Sequence, residues 1–555
     1  MKIADLPESG PDGRARAGAL AGLKIDEAEP AGIVAFVSHG RCLVIGEERE
    51  ALDFAHRVAG EIDCVVAARS DGSAPEAEVV EGIRTVRGGR LVIAGALGNF
   101  EVRLVSGAGE RALGQMVAPP VEHFDLVVDL GQTPVLQQAM KPLGYYSPGA
   151  DEALREQVLE VLPEMRGEFE KPKYFNYNPE ICAHGRNGKA GCTRCIDACP
   201  AEAIVSTGET VRVNPYLCQG GGVCATACPS GAMTYAFPMA RDLLDALRRM
   251  LSDYRAAGGD SGVLLFYDGA SAAGLAADLA ASMPEHVLPV EVEEIGSVGM
   301  EAWLACLAYG AEAVWLLACD RTPPQVLEAL QDQLQTARTI LAGMGFDERC
   351  VGLVNSEQPG LALQALAARP QNPSRTPAAF VAPPADKRGT LRLALQHLQA
   401  QASPGKRSVG LPAGAPFGEV RVDGAACTLC MSCVSACPTH ALQDGRGLPQ
   451  LNFREWNCVQ CGLCERTCPE DAVRLHPRFL YDAELREQPR VLHEEQPVCC
   501  VACGKPFTTR SMLEKVNRKL EGHWMFQDDA ARRRLQMCED CRVRDMFAAE
   551  ARQGH

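Results

Sequence analysis

The chain is poor in positive charge. Lys and Arg number 55 against 71 Asp and Glu, leaving a net charge of −16, whereas a nucleic-acid binder gathers cations on one face. The same deficit disfavours adsorption to an anionic membrane surface. Apolar runs are short, and none approaches the roughly 18–20 residues of a membrane span. Residues 1–12 lack a basic stretch followed by an apolar one, and Arg14 and Arg16 are not adjacent, so neither a secretory nor a twin-arginine signal is expected. No G-x-G-x-x-G stands between a strand-like and a helix-like run, which argues against a dinucleotide site. No nucleophile–base constellation is found either. With 46% hydrophobic and 23% charged residues the chain reads as globular rather than disordered. Its length calls for about three to five domains. Cysteine, by contrast, is abundant, at 25 residues in 555. Without a secretory signal the expected setting is a reducing cytoplasm, where thiols serve metals more often than disulfides. All but five of the cysteines fall into three clusters.

Residues 1–30, rich in Gly, Ala and charge, read as a mobile leader. From 31 to 171, strand-like runs (33–37, 42–45, 62–67, 91–94, 124–130) mix with helical ones (47–58, 151–162), predicting an α/β or α+β domain of unassigned role. Cys42 and Cys64 read as small core residues on its strands. Residues 172–238 are dense in cysteine. Between 239 and 368, strands at 263–267, 287–292 and 313–318 alternate with helices near 240–256, 271–282, 298–309 and 324–344, the order of βαβ units on a small parallel sheet. The Pro-, Gly- and Ala-rich residues 369–418, with one short helix at 391–401, read as a spacer. A second cysteine-dense segment occupies 419–489 and a cysteine-bearing tail 490–555. The expected fold class is multidomain, mixing α/β and α+β.

The strongest motif is Cys427-Thr-Leu-Cys430-Met-Ser-Cys433-Val-Ser-Ala-Cys437-Pro438, followed by Cys458-Val-Gln-Cys461-Gly-Leu-Cys464-Glu-Arg-Thr-Cys468-Pro469. Both read C-x₂-C-x₂-C-x₃-C-P. Three thiolates on one tight loop reach three corners of a cubane, and the fourth faces the neighbouring cluster, so the two motifs exchange their last ligands. One cluster is expected on Cys427, Cys430, Cys433 and Cys468, the other on Cys458, Cys461, Cys464 and Cys437. After each Cys-Pro in the chain, a small and then an apolar residue recur at one offset: Ala203-Ile204, Ala232-Met233, Ala441-Leu442 and Ala472-Val473. A zinc site needs four ligands rather than this periodic eight. Residues 172–238 and 419–478 resemble bacterial two-cluster ferredoxins. The resemblance implies two ferredoxin-like 2[4Fe–4S] modules.

The earlier segment is a modified copy. It reads Cys182, nine residues, then Cys192-Thr-Arg-Cys195-Ile-Asp-Ala-Cys199-Pro200, and later Cys218-Gln-Gly-Gly221-Gly-Val-Cys224-Ala-Thr-Ala-Cys228-Pro229. The Gly-rich insertion at 183–191 is a loop that bulges at modest entropic cost. One cluster is expected on Cys182, Cys192, Cys195 and Cys228. The other has Cys218, Cys224 and Cys199, with Gly221 in place of the second loop thiolate. That site suits a [3Fe–4S] centre, or a [4Fe–4S] centre with water, a carboxylate or His as fourth ligand; His184, the nearest histidine in sequence, reads as a loop residue. The expected complement is three [4Fe–4S] clusters plus this one.

Two C-x₂-C knuckles in the tail, Cys500/Cys503 and Cys538/Cys541, are separated by a helical stretch at 510–520. They suit a tetrahedral Cys₄ site of zinc-ribbon type, with zinc the default occupant and a fifth cluster the alternative; Cys499 is spare. In the middle domain, Glu294-Ile-Gly296-Ser-Val-Gly299, Gly310-Ala-Glu-Ala-Val-Trp-Leu-Leu-Ala-Cys319 and Gly343-Met-Gly-Phe-Asp-Glu-Arg349 resemble the delta (iron–sulfur) subunit of methyl-viologen-reducing hydrogenases. That resemblance implies a shared fold and a docking role. Of the family's four cluster cysteines only Cys319 falls on the pattern, and Cys306 and Cys350 have no counterpart. The overall build is similar to iron–sulfur proteins accompanying formate dehydrogenases. The expected function is a multi-cluster electron-transfer subunit serving a redox partner of dehydrogenase or hydrogenase type. The alternatives are an enzyme using an open-coordination cluster or an unseen flavin, and a maturation factor for a metalloenzyme.

Overall fold

The structure, a computed structural model, describes residues 6–25, 30, 32–69, 75–107, 109–274, 281–370, 372–373, 376–383, 386–402 and 405–553. It is a mixed α/β assembly of several domains. In the N-terminal domain Arg41–Gly46, Asp63–Ala68, Ile83–Arg87 and Leu126–Asp129 form a parallel sheet, edged by antiparallel Glu76–Val80. Its central strands are buried on both faces, as parallel strands are. Cys42, Val44, Cys64 and Val66 face the helix Glu48–Val58. Leu43, Ile45, Val65 and Ala67 face an antiparallel sheet of Arg90–Ala96, Asn99–Ser106 and Gly109–Ala112. Cys42 lies opposite Cys64 in the register, and both are core residues.

The middle domain is a four-stranded parallel sheet in the order Val287–Glu291, Val263–Tyr267, Ala313–Ala318, Val351–Asn355. The helices Ala240–Ala256, Met300–Ala308 and Pro324–Gly343 bury their apolar faces in its core. Of the helix expected at 271–282, Gly269–Gly274 is formed and residues 275–280 lie outside the described residues.

Two stretches that composition marks as leader and spacer hold core helices instead. Pro11–Ala21 packs on Ala240–Ala256 and buries Ala15, Ala19 and Leu20 in the middle-domain core. Within it Arg16 is fully buried, donating to the carbonyls of Pro7, Pro284 (3.1 Å) and Val287 (3.2 Å). The helix Lys387–Ala400 packs on Met300–Ala308, burying Leu391, Ala394, Leu395 and Leu398. In Pro11–Ala21 the buried face is mostly Gly and Ala, which make no strong apolar stripe, so composition conceals its burial. In Lys387–Ala400 the stripe of Leu391, Leu395 and Leu398 is present, and only the flanking Pro, Gly and Ala give the segment a spacer's composition.

Candidate iron–sulfur centres

In the later cysteine segment Gly418–Val422 pairs antiparallel with Val473–Leu480, and Leu442–Gly445 with Leu448–Phe453. The cysteine loops lie between these pairs. Leu429 and Met431, at φ 53° and 60°, flank Cys430, and Gln460 and Gly462, at 53° and 82°, flank Cys461. Alternating left-handed residues turn successive amides toward one centre, the concavity that binds anions and sulfur clusters. After each Cys-Pro, His440 and Asp471 are again left-handed, at 52° and 50°. The chain so turned lets the N–H of Ala441 donate to Cys437 Sγ at 3.2 Å, and that of Ala472 to Cys468 Sγ at 3.4 Å. The recurring small residue is therefore a hydrogen-bond donor whose methyl is buried.

Cys427, Cys430, Cys433 and Cys468 line one small cavity. Burial pushes the Cys433 thiol up to about 12, and its neighbours Cys427, Cys430 and Cys468 add to the shift. Burial likewise raises Cys458 to about 12 and Cys461 to about 11, with Cys437 beside both and beside Cys464. Four crowded, desolvated thiols cannot ionise together in the absence of a cation. With amides aimed at their sulfurs, they are a donor set suited to a cationic iron–sulfur core.

Residues 172–238 repeat these local shapes. Phe175–Tyr177 pairs with Met233–Tyr235, and Ile204–Ser206 with Val211–Val213. Glu202 (φ 49°) and Gly231 (φ 77°) occupy the left-handed position after each Cys-Pro. The N–H of Ala203 donates to Cys199 Sγ at 3.4 Å; at Cys228 the donor is Met233, also at 3.4 Å, one residue later than elsewhere. Burial raises the Cys195 thiol, and Cys228, Cys192 and Cys182 stand around it. Burial raises Cys224 too, with Cys218 and Cys199 as its nearest thiols. Beside this second group the half-buried ammonium of Lys171 donates to the carbonyls of Tyr216 (3.0 Å) and Cys218 (2.7 Å), and partial burial brings it down to about 8. Both ring nitrogens of His184 are engaged, at 2.9 Å from the Cys192 carbonyl and 2.7 Å from Ser206 Oγ. His184 anchors its loop.

The insertion at 183–191 has a role that sequence reasoning missed. It forms a hairpin, Gly185–Arg186 against Lys189–Ala190, that docks on the later segment. Arg466 donates to the carbonyls of Ala190 and Gly191, Asn187 Nδ2 donates to Ser435 Oγ at 3.3 Å, and a Cβ on Gly191 would meet Leu463 at 2.8 Å. Cys192 thereby comes close enough to raise the proton affinity of Cys461. No local signal in the sequence announces this contact.

The middle domain presses on the other loop. Its Glu294–Gly299 stretch lies against Gly221–Thr226: Thr226 Oγ1 donates to the Gly296 carbonyl at 2.9 Å, and a Cβ on Gly296 would sit 2.6 Å from the Gly221 carbonyl oxygen. Cys306, Cys319 and Cys350 are buried in that domain's core. Adjacent residues of the 387–400 helix then grip both segments. Lys387 donates to the carbonyls of Ala225 (3.0 Å) and Thr226, and Arg388 to those of Pro416 (3.0 Å) and Trp456.

In the tail Cys500, Cys503, Cys538 and Cys541 place their sulfurs within 4.8 Å of one another, with Cys503 and Cys538 at 3.7 Å. Burial raises the Cys500 thiol, but the amides of Cys538, Ala502 and Cys503 outweigh it and bring it down to about 6. Cys499 is exposed and outside this group. The tail also touches the later segment: Thr509 Oγ1 donates to the Thr428 carbonyl at 3.3 Å, and Lys515 pairs with Glu470.

Among the described residues no helix is long and apolar enough to cross a membrane. A family model described as a 4Fe–4S dicluster domain matches residues 426–473. The ferredoxin-type protein NapF of Escherichia coli (strain K12) is 42% identical over 45 residues, 8% of this chain and 27% of NapF. Ferredoxin-1 of Caulobacter vibrioides is 39% identical over 51 residues, 9% of this chain and 43% of that protein. The chain thus spans less than half the length of either relative. The match falls on the loops whose amides and thiols converge, and residues 426–473 are a ferredoxin-type 4Fe–4S module.

Proposed function

We propose that the protein is a multi-cluster electron-transfer subunit that relays electrons between a redox enzyme and a carrier. The observation that favours this most is the docking of the 183–191 hairpin, which sets Cys192 beside Cys461. Four ligand sets then fall in a row: Cys199, Cys218 and Cys224; Cys182, Cys192, Cys195 and Cys228; Cys437, Cys458, Cys461 and Cys464; and Cys427, Cys430, Cys433 and Cys468. When bound, iron–sulfur clusters supply one-electron redox chemistry. The protein's own part is to hold the thiols, aim N–H donors at them and exclude water. The outer sets face different surroundings, one the N-terminal and middle domains, the other the tail, as a relay with two distinct partners requires.

The middle domain is the proposed docking platform for a dehydrogenase- or hydrogenase-type partner in the cytoplasm. The tail's Cys₄ site is read as structural zinc, because a tetrahedron with Zn–S near 2.3 Å has sulfurs about 3.8 Å apart, matching the 3.7 Å between Cys503 and Cys538. Native protein purified without oxygen should bring its partner with it, identified by mass, and should exchange electrons with low-potential dyes. Bound flavin, or turnover of a small molecule by the single chain, would refute the relay reading in favour of an enzyme.

A further inference from the structure

We propose that Met140, from the N-terminal domain, is the fourth protein group on the cluster of Cys199, Cys218 and Cys224, its thioether sulfur standing in for the missing thiolate. This rests on the reading that residues 172–238 hold two clusters. Gly220 and Gly222, at φ 79° and 67°, flank Gly221 in the alternation that flanks Cys430 and Cys461, while Gly221 itself is not left-handed. The backbone at 221 therefore repeats that of a liganding cysteine, and a side chain there would project as theirs do. In that direction lies a sulfur atom already. A Cβ on Gly221 would come 3.2 Å from Met140 Sδ and 3.5 Å from Pro200 Cγ. The first distance is inside ordinary carbon–sulfur packing, so Met140 occupies the space a cysteine side chain would need.

Met140 lines the same small cavity as Cys199, Cys218 and Cys224. It is also tied to the Cys199-Pro200 turn, since its N–H donates to the Pro200 carbonyl at 2.9 Å. The preceding loop is closed by Lys141, whose Nζ donates to the carbonyls of Leu136 and Gln138, both at 2.7 Å. His184 is engaged elsewhere through both ring nitrogens. Gln219, which also lines the cavity and holds its amide nitrogen on the Leu217 carbonyl at 3.1 Å, offers only a hard amide oxygen, less suited to iron in a sulfur environment than a thioether.

A thioether is soft enough for iron in a sulfur environment and needs no deprotonation. It is also neutral, so this ligand set carries three negative charges instead of four. Lower negative charge raises a cluster's reduction potential. The end of the row beside the N-terminal domain becomes its most easily reduced position, and that domain sets the potential through one side chain.

The test uses the anaerobically reconstituted full chain, with Met140→Leu, which keeps the bulk and removes the donor, and Met140→Cys, which restores a thiolate. Wild type should bind about 16 iron, four per cubane, and show no [3Fe–4S] resonance. On brief oxidation with ferricyanide, which takes one electron from the three-iron core left behind, Met140→Leu should lose one iron per chain and gain a near-isotropic paramagnetic resonance close to the free-electron value, whereas wild type treated alike should not. Met140→Cys should keep its iron and lower the potential of one cluster only. The proposal fails if Met140→Leu matches wild type in iron and spectrum, or if wild type itself binds one iron fewer and shows that resonance; either result leaves the two-cluster reading standing. Wild type saturating near eight iron overturns both.

Discussion

At the scale of single residues, the alanines after each Cys-Pro show how sequence regularity and chemistry connect. Their spacing is legible in the sequence, but not their work: Ala203, Ala441 and Ala472 act through their amides on sulfur, which composition cannot reveal. The tail invites a direct comparison of neighbouring thiols. Cys503→Ser should remove about one zinc per chain and loosen the tail, whereas Cys499→Ser should leave metal content unchanged; elemental analysis of both full-length variants checks this. Iron–sulfur absorbance tracking Cys503 with no zinc found would replace zinc by a fifth cluster. Glu294 offers a pH prediction. Burial, with Asp268 and Glu293 nearby, pushes its carboxyl up to about 7. The folded chain thus keeps a proton that the unfolded chain releases, so the associated stability is full below about pH 4.3 and is lost as pH rises through 7. Glu294→Gln should flatten that slope, by on the order of 2 kcal/mol between pH 5 and 8, measured by denaturant titration of the loaded protein. An unchanged slope would mean the carboxyl titrates normally.

At the scale of elements, local motifs were readable and non-local packing was not. The buried parallel strands at 42–45, 62–67, 263–267, 287–292 and 313–318 follow from apolar runs, whereas Glu76–Val80, Ile83–Arg87, Asn99–Ser106 and the edge strand Val351–Asn355 lie outside the strands expected from the sequence. The burial of Pro11–Ala21 does not follow from the sequence either, because its buried face is Gly13, Ala15, Arg16 and Ala19, with Leu20 its one large apolar side chain. That arginine is testable. Arg16→Leu should cost about 2–4 kcal/mol, because buried carbonyls lose their donor, and should expose residues 6–21 to protease in the full chain. Protection equal to wild type would show that the helix docks without it. The hairpin at 183–191 is the other element that sequence alone undervalues. Its nine-residue length reads as tolerated slack, yet it forms the contact between the two cysteine segments. Arg466→Glu removes a donor to the Ala190 and Gly191 carbonyls. It should leave iron content intact while slowing electron exchange between the halves, followed by rapid-mixing spectroscopy after reduction from one end.

For the whole molecule, iron content is the broadest check. Reconstituted protein should hold about 16 iron per chain, four per cubane; about 15 would mean that one centre lacks its fourth ligand, and saturation near eight would confine clusters to residues 427–468. The arrangement that makes such a row also has a history in time. Lys387 and Arg388 hold the two segments together from adjacent positions, but one segment ends near residue 238 and the other begins only after 417. At roughly 5–20 residues per second of synthesis, tens of seconds separate them on the ribosome. Through that interval the hairpin that will meet Leu463 and Arg466 faces solvent, its partner not yet made. Chains stalled or truncated in the middle domain would leave thiols at the inner end of the row open to oxygen. On the relay reading, iron would then have to be loaded late or the nascent thiols shielded until residue 468 is made.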